Sequence, residues 1–169
     1  MAVTYEPIAT QTLGTAANNI TFNSIAASWT DLRLVLVGTA ASTGSEPRLV
    51  FNADTGSNYS YNYYSGTGTS GTGGRGTAQT SALMGLVGFD TTIPHLIICD
   101  IFSYANSNVN KQTISYHAGN ESGASGRVEV ANARWSSSAA ITSVKVQLSS
   151  GVTNFSIGTT ATLYGIKAA

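Results

Sequence analysis

The chain reads as one antiparallel all-β domain, a sandwich or a barrel. Three observations predict this. No segment places apolar residues at i, i+3, i+4 and i+7 between a cap and a stop, so no helix of useful length is expected. Alternation with period two recurs instead, as in Leu32, Leu34 and Leu36 against Arg33, Val35 and Val37. The alternating runs are separated by short stretches rich in Gly, Ser and Asn, which are turn residues.

Taken in order, residues 3–13 form the first strand candidate, with Pro7 inside it. Proline cannot donate to a ladder, so this segment belongs at an edge or in an extended arm. Further candidates are 19–22, 32–37, 48–52 and 59–64. Residues 65–80 hold six glycines and almost no apolar side chain, and read as a long flexible loop. Residues 82–89 form the next strand candidate. The run 95–102 (His-Leu-Ile-Ile-Cys-Asp-Ile-Phe) is apolar on both faces, as expected of a central strand covered by the core on one side and by a loop or neighbouring subunit on the other. Residues 111–117, 128–131, 143–148 and 160–167 complete nine or ten strands. In 128–131 the apolar face is assigned to Val128 and Val130, with Glu129 facing out. The chain divides into an N-terminal arm or edge strand, 1–14, and a sandwich domain, 15–169.

Composition narrows the function. The 169 residues (17.4 kDa) carry 8 Lys+Arg and 8 Asp+Glu, a formal net charge of zero. Charged residues are 9% of the chain, far below the roughly 25% of an average domain. Hydrophobic residues make up 42%, which excludes a disordered chain. Eight scattered basic residues supply no cationic field for nucleic acid. No apolar run approaches the roughly 20 residues of a membrane helix, and the first residues carry neither the basic nor the apolar region of a secretory leader. The single Cys99 has no disulfide partner within the chain. With 21 Ser, 22 Thr and 18 Gly, and no net charge, the surface suits a protein packed into a larger assembly.

Motifs for chemistry are weak. Asn52, Asp54 and Asn58 sit like the start of a calcium loop, but the twelfth position is Tyr63 rather than a bidentate Glu. The string reads as a turn around Gly56. His95 and His117 show no zinc-ligand spacing and read as surface or boundary residues. No Gly-x-Ser-x-Gly elbow is present, and residues 65–80 lack the Gly-Lys-Ser/Thr of a phosphate loop. Asp100 is the one carboxylate inside a strongly apolar run and reads as a paired inter-strand or subunit contact. No catalytic residue, metal ligand or cofactor is expected. Tyr59, Tyr61, Tyr63 and Tyr64 are more informative. The first three share a strand face, which fits core packing, a protein interface or a glycan platform.

Five strings carry a resemblance: residues 28–38 (Ser-Trp-Thr-Asp-Leu-Arg-Leu-Val-Leu-Val-Gly), 49–61 (Leu-Val-Phe-Asn-Ala-Asp-Thr-Gly-Ser-Asn-Tyr-Ser-Tyr), 104–113, 134–143 and 158–166. Together, over residues 2–167, the chain resembles a family of tailed-bacteriophage virion proteins. The resemblance implies a jelly-roll-like β-sandwich on the outside of the particle, made in the host cytoplasm, with no catalytic residues. It implies a capsid decoration (cement) protein bound to the major capsid protein lattice, as a homotrimer matching local threefold symmetry. The alternative is a receptor- or glycan-binding module of a tail fibre. Val3, Tyr5, Pro7 and Ile8 are the candidates for reaching a neighbouring subunit by strand addition. The family pattern reads Phe-Asn-Gly-Asp where this chain has Phe51-Asn-Ala-Asp54, so Ala53 implies that its turn does not need a positive φ.

Overall fold

The computed structural model describes residues 5–120, 126–149 and 153–167. Among them are twelve strands and no helix. They are β1 (Tyr5–Thr12), β2 (Asn19–Phe22), β3 (Asp31–Gly38), β4 (Pro47–Phe51), β5 (Tyr59–Gly66), β6 (Gly71–Gln79), β7 (Ala82–Leu83), β8 (His95–Phe102), β9 (Lys111–Asn120), β10 (Gly126–Trp135), β11 (Val144–Leu148) and β12 (Thr160–Ile166). Every pairing is antiparallel. An eight-stranded sheet runs β1-β12-β3-β8-β9-β10-β5-β6, and a four-stranded sheet runs β2-β11-β4-β7. The two pack as a β-sandwich.

Alternation explains the core. Leu32, Leu34 and Leu36 of β3, and Ile97, Cys99 and Ile101 of β8, point inward from the large sheet. Leu49 and Phe51 of β4, with Val144, Val146 and Leu148 of β11, meet them from the small one. Phe51, Tyr59 and Trp135 cluster in the core with centroids 5.7–6.3 Å apart, Tyr59 stacked on Trp135 and Phe51 tilted against both. Lys111 is buried at the start of β9, where its ammonium donates to the carbonyls of Asn106 (2.5 Å), Val109 (2.7 Å) and Ser138 (3.0 Å). Burial lowers its pKa, and the three carbonyls supply the solvation that water would have given.

Several expectations are corrected. The glycine-rich 65–80 is not a loop: β5 extends to Gly66, Gly71–Gln79 is strand β6, and only the hairpin tip is irregular. Tyrosine rings of β5 lie across the bare backbone of β6. A Cβ at Gly74 would meet the Tyr63 hydroxyl at 2.6 Å, and one at Gly76 would meet Tyr61 Cζ at 2.5 Å. The glycines make room for rings, and the rings cover the glycines. In 82–89 only Ala82–Leu83 is strand, and Met84, Val87 and Phe89 are buried in irregular chain. The face assigned to 128–131 is inverted: Glu129 and Ala131 are buried and Val128 is 65% exposed. Glu129 shares parity with Ala131, Ala133 and Trp135, and that longer run fixes which side faces in.

The turn after β4 overturns another reading. Asn52 and Ala53 both have positive φ, 50° and 56°. Asn52 holds the turn by accepting the Thr142 and Ser143 amide protons at 2.8 and 3.1 Å, while its amide donates to Ala140 O. Ala53 sits in the left-handed region without such a bond. Ala53→Gly is therefore expected to raise stability by about 0.5–1 kcal/mol, relief of strain outweighing the added freedom of the unfolded chain. A denaturant titration checks it, and a loss of stability would show that the turn carries no strain.

Candidate functional site

The predicted interface residues separate. Val3 lies outside the described residues. Tyr5, Pro7 and Ile8 are in β1, which pairs along one edge with β12, from Tyr5 opposite Ile166 to Thr12 opposite Thr160, with a bulge between Pro7 and Ala9; at the end of the sheet it has no strand on its other edge among the described residues. Tyr5 stacks on Tyr164 at 4.6 Å beside Arg33, and Ile8 packs on the core. The first strand is an edge strand, as its proline requires.

The tyrosine cluster does not form one platform. Tyr59 is buried; its hydroxyl donates to Asp54 O (3.2 Å) and accepts the Phe51 amide proton (3.0 Å), and burial pushes its pKa up to about 12. Tyr61 is half-buried beneath the Arg48 guanidinium, 5.1 Å from its centroid. Tyr63 is half-buried against Gly74. Tyr64 alone points to the other face of the sheet and is 62% exposed.

The calcium-like string is a turn, as expected. Asp54 Oδ1 accepts the Gly56 amide proton (2.8 Å), and Oδ2 accepts the Trp135 indole proton (2.6 Å) and the Asn58 amide (2.9 Å). These bonds, the Trp135 one foremost, hold the carboxyl below its ordinary pKa. Asp100 is paired across strands, forked onto Arg33 at 2.6 and 2.8 Å.

His95 and His117 are the largest departure from expectation. They are not at the surface: His95 is 0% exposed, and His117 and the inward Glu129 are 1% exposed. Adjacent strands deliver them side by side, since Ile97 pairs with His117 and His117 with Glu129. Glu129 Oε2 accepts the amide protons of Leu86 (2.7 Å) and Val87 (2.9 Å), which marks it as an ionised acceptor. His117 Nδ1 then donates to the same oxygen at 3.2 Å. That tautomer leaves His117 Nε2 to accept from His95 Nδ1 at 2.9 Å, and His95 Nε2 to accept the Asp90 amide proton at 3.1 Å. Burial, and then repulsion from His117, push the His95 pKa down to about 4, so the ring is neutral at pH 7. Burial alone would raise the Glu129 pKa, but the bonds from His117 and the Val87 amide outweigh it and lower it. Two glycines admit the rings: a Cβ at Gly85 would lie 2.1 Å from His117 Nδ1, and one at Gly119 2.4 Å from His95 Nδ1.

This relay ties the irregular chain 84–90 to the large sheet. Its side chains are buried, His95 at 0% and His117 and Glu129 at 1% exposure. Cys99 is equally enclosed, its thiol pushed up to about 12 by burial and so unreactive. Among the described residues, no cluster of three or more His, Cys, Asp or Glu is placed to hold a metal.

The outer face of the large sheet is what remains open. The register lines up Val37, Leu96, Ala118 and Val128 in one row, and Val35, Ile98, Tyr116, Val130 and Tyr64 in the next. Leu96 is 42% exposed and Tyr116 49%. Among the described residues nothing covers these rows, although the two-faced apolar run 95–102 had anticipated a cover. The third row, Arg33, Asp100, Ile114, Asn132, Asn62 and Arg75, is polar. Sequence reading identified Leu96 and Ile98 by their break in alternation, but missed Tyr116 and Val128, whose neighbours are polar.

No family model matches the chain, and no curated protein matches it. Among solved structures, a candidate pore-forming toxin from Bacteroides vulgatus aligns at 7% identity over 91% of this chain and 60% of that one, with a TM-score of 0.10. An overlap that low carries no argument about fold or function.

Proposed function

We propose that the chain is a structural virion protein of a tailed bacteriophage, a capsid decoration protein that attaches to the outer lattice of the head and stabilises it against the pressure of packaged DNA. One observation carries the reading: a folded sandwich of zero formal net charge leaves two rows of apolar side chains uncovered on its large sheet, while its His-Glu cluster is buried. Large exposed apolar patches mark protein–protein or membrane interaction sites or ligand-binding grooves, and this one is a sheet face rather than a groove. A ligand that binds only the assembled lattice stabilises it by mass action, and many copies multiply a modest affinity. The absence of charged side chains in these two rows keeps the desolvation cost of docking there low.

Immunogold labelling of intact virions with antibody against the domain tests this. Label spread over the heads is expected, together with loss of DNA on mild heating when the protein is stripped. Label confined to the tail tip would overturn the decoration reading in favour of a receptor-binding module, with Tyr64 as its first candidate. Absence of label from the particle would overturn a virion role altogether.

A further inference from the structure

We propose that residues 88–94 form an acid-opened strap, held on the sandwich at neutral pH by the buried His95–His117–Glu129 relay and lifted from it when His95 takes a second proton, while both sheets stay folded. This device is independent of the decoration reading. The backbone of the irregular stretch finds its acceptors in an unusual place. The amide protons of Leu86, Val87 and Asp90 end on relay side chains, at 2.7, 2.9 and 3.1 Å, rather than on backbone carbonyls. A carboxylate oxygen or a bare imidazole nitrogen accepts only while it is unprotonated. Beyond Val87 the strap is also tied by Phe89 N to Ser45 O (3.2 Å) and by Ala40 N to Asp90 O (2.9 Å). Residues 90–93 form a knot of their own, since the Asp90 carboxylate accepts the Thr92 and Ile93 amide protons at 2.7 and 2.9 Å, so they move as one piece. Residues 91–94 are exposed.

His95 is the switch point because its Nε2 has two neighbours of opposite kind. It lies 3.1 Å from the Asp90 amide nitrogen, which needs an acceptor, and 3.1 Å from the Asn120 carbonyl, which needs a donor. The neutral ring serves the first, and the imidazolium serves only the second. One proton therefore moves the bond from the strap to the end of β9. It leaves the Asp90 amide, in a residue 6% exposed, facing another donor. Charged and titratable groups surround the ring on several elements. His117 of β9 bonds to it, with Glu129 of β10 behind; Asp90 faces it from the strap; Arg127 of β10 lies on its row beyond Gly119; its β3 neighbour is the uncharged Gly38. The proton has a short path. Ile93, Pro94, Gly119, Asn120 and Arg127 border an open hollow at the surface. A Cβ on Gly119 would stand 2.4 Å from His95 Nδ1, so the ring lies directly beneath that wall. Lifting the strap draws Phe89 off both imidazoles, on which it stacks at 4.7 and 6.0 Å, and uncovers the slot it shares with Phe155.

The test is amide hydrogen exchange of the whole chain, followed residue by residue by NMR at pH 7 and pH 5, with each rate divided by the intrinsic rate at that pH. The closed strap binds fewer protons than the open one, so acid favours opening. Protection of the Phe89, Asp90 and Ala40 amides is expected to fall together by about twentyfold between the two pH values. That factor follows if His95, with a pKa of about 4 beneath the closed strap, returns to 6.5 on opening. At both pH values these three amides should be less protected than those of β3 and β9, because the opening leaves the sheets intact. Glu129, held below its ordinary range, is still ionised at pH 5, so Leu86 and Val87 should stay better protected than Asp90. His95→Gln cannot take the proton, and its strap should show the same protection at pH 7 and pH 5. Wild-type protection of Asp90 that does not change with pH overturns the proposal. So does protection equal to that of β3 and β9, which would mean that the strap opens only with the whole molecule. A pH dependence that survives in His95→Gln overturns it as well, and the two wild-type outcomes decide the matter even if that variant fails to fold.

Discussion

Glu129→Ala is expected to lower the unfolding free energy by about 4 kcal/mol, the cost of stranding several buried donors at once. The side chain accepts the Leu86 and Val87 amide protons and the His117 Nδ1 proton on one oxygen, 1% exposed. Alanine leaves all three donors buried without an acceptor and opens a cavity beside them. For a domain of this length the melting temperature should fall by about 8–16 °C, read by calorimetry. Glu129→Gln keeps an acceptor oxygen and should cost about half as much, which separates loss of the bonds from loss of volume. A Glu129→Ala protein melting within about 3 °C of wild type would mean that the relay contributes little to holding residues 84–90.

Acid should destabilise the fold in two stages. His95 has a folded pKa near 4 against an ordinary value of 6.5, because burial and His117 oppose a second proton. The folded state therefore binds fewer protons than the unfolded chain as pH falls below 6.5. Stability is complete above that value and declines toward pH 4, by about 3 kcal/mol at the lower limit. Below the ordinary carboxylate range Glu129 and Asp54 add to the loss, since both are held low in the fold. Asp90, lowered by the Thr92 and Ile93 amide bonds, acts in the same direction. The groups facing His95 are thus His117, Asp90 and, through His117, Glu129. A second proton on His95 Nε2 would turn that nitrogen from the Asp90 amide toward the Asn120 carbonyl, 3.1 Å away. Melting curves between pH 7 and 4 should show a fall of about 6–12 °C, and His95→Gln should flatten the slope while lowering the pH 7 value. A melting temperature constant from pH 7 to 4 would refute the neutral, buried assignment of His95.

Much of the fold was legible because alternation is a direct report of which face is buried. Leu32, Leu34 and Leu36, or Val144, Val146 and Leu148, can face only one way once the sheet has one core. Short windows failed where one residue broke the rule. In 128–131, Val128 looked like a core residue because Glu129 looked like a surface one. Only the parity of Ala131, Ala133 and Trp135, three positions of one face, shows the reverse. The glycine-rich stretch misled for a different reason. Its strand character lies in its partner, since the tyrosines that cover Gly74 and Gly76 are 11 and 15 positions earlier in the chain. The relay was illegible because His95, His117 and Glu129 meet through cross-strand pairing, and spacing along one chain carries no trace of it. Ala53 misled because an alanine with positive φ gives no compositional warning. Of the apolar outer face, the Leu96 and Ile98 portion could be read directly, since both faces of 95–102 are apolar.

The pairing of β1 with β12 has a mechanical consequence. Tyr5 lies opposite Ile166, so the described chain enters and leaves the sandwich at one corner, its ends about 5 Å apart across a single rung. Tension applied between those ends would load the ladder one rung at a time, from Tyr5–Ile166 toward Thr12–Thr160, peeling the first strand like a zipper. Tension carried across the broad face of the large sheet would instead be shared by all the rungs of β3, β8, β9 and β10 together. The same protein is therefore weak when pulled by its ends and strong when pulled through its face, and a cargo joined at the corner would hang from the weaker of the two attachments.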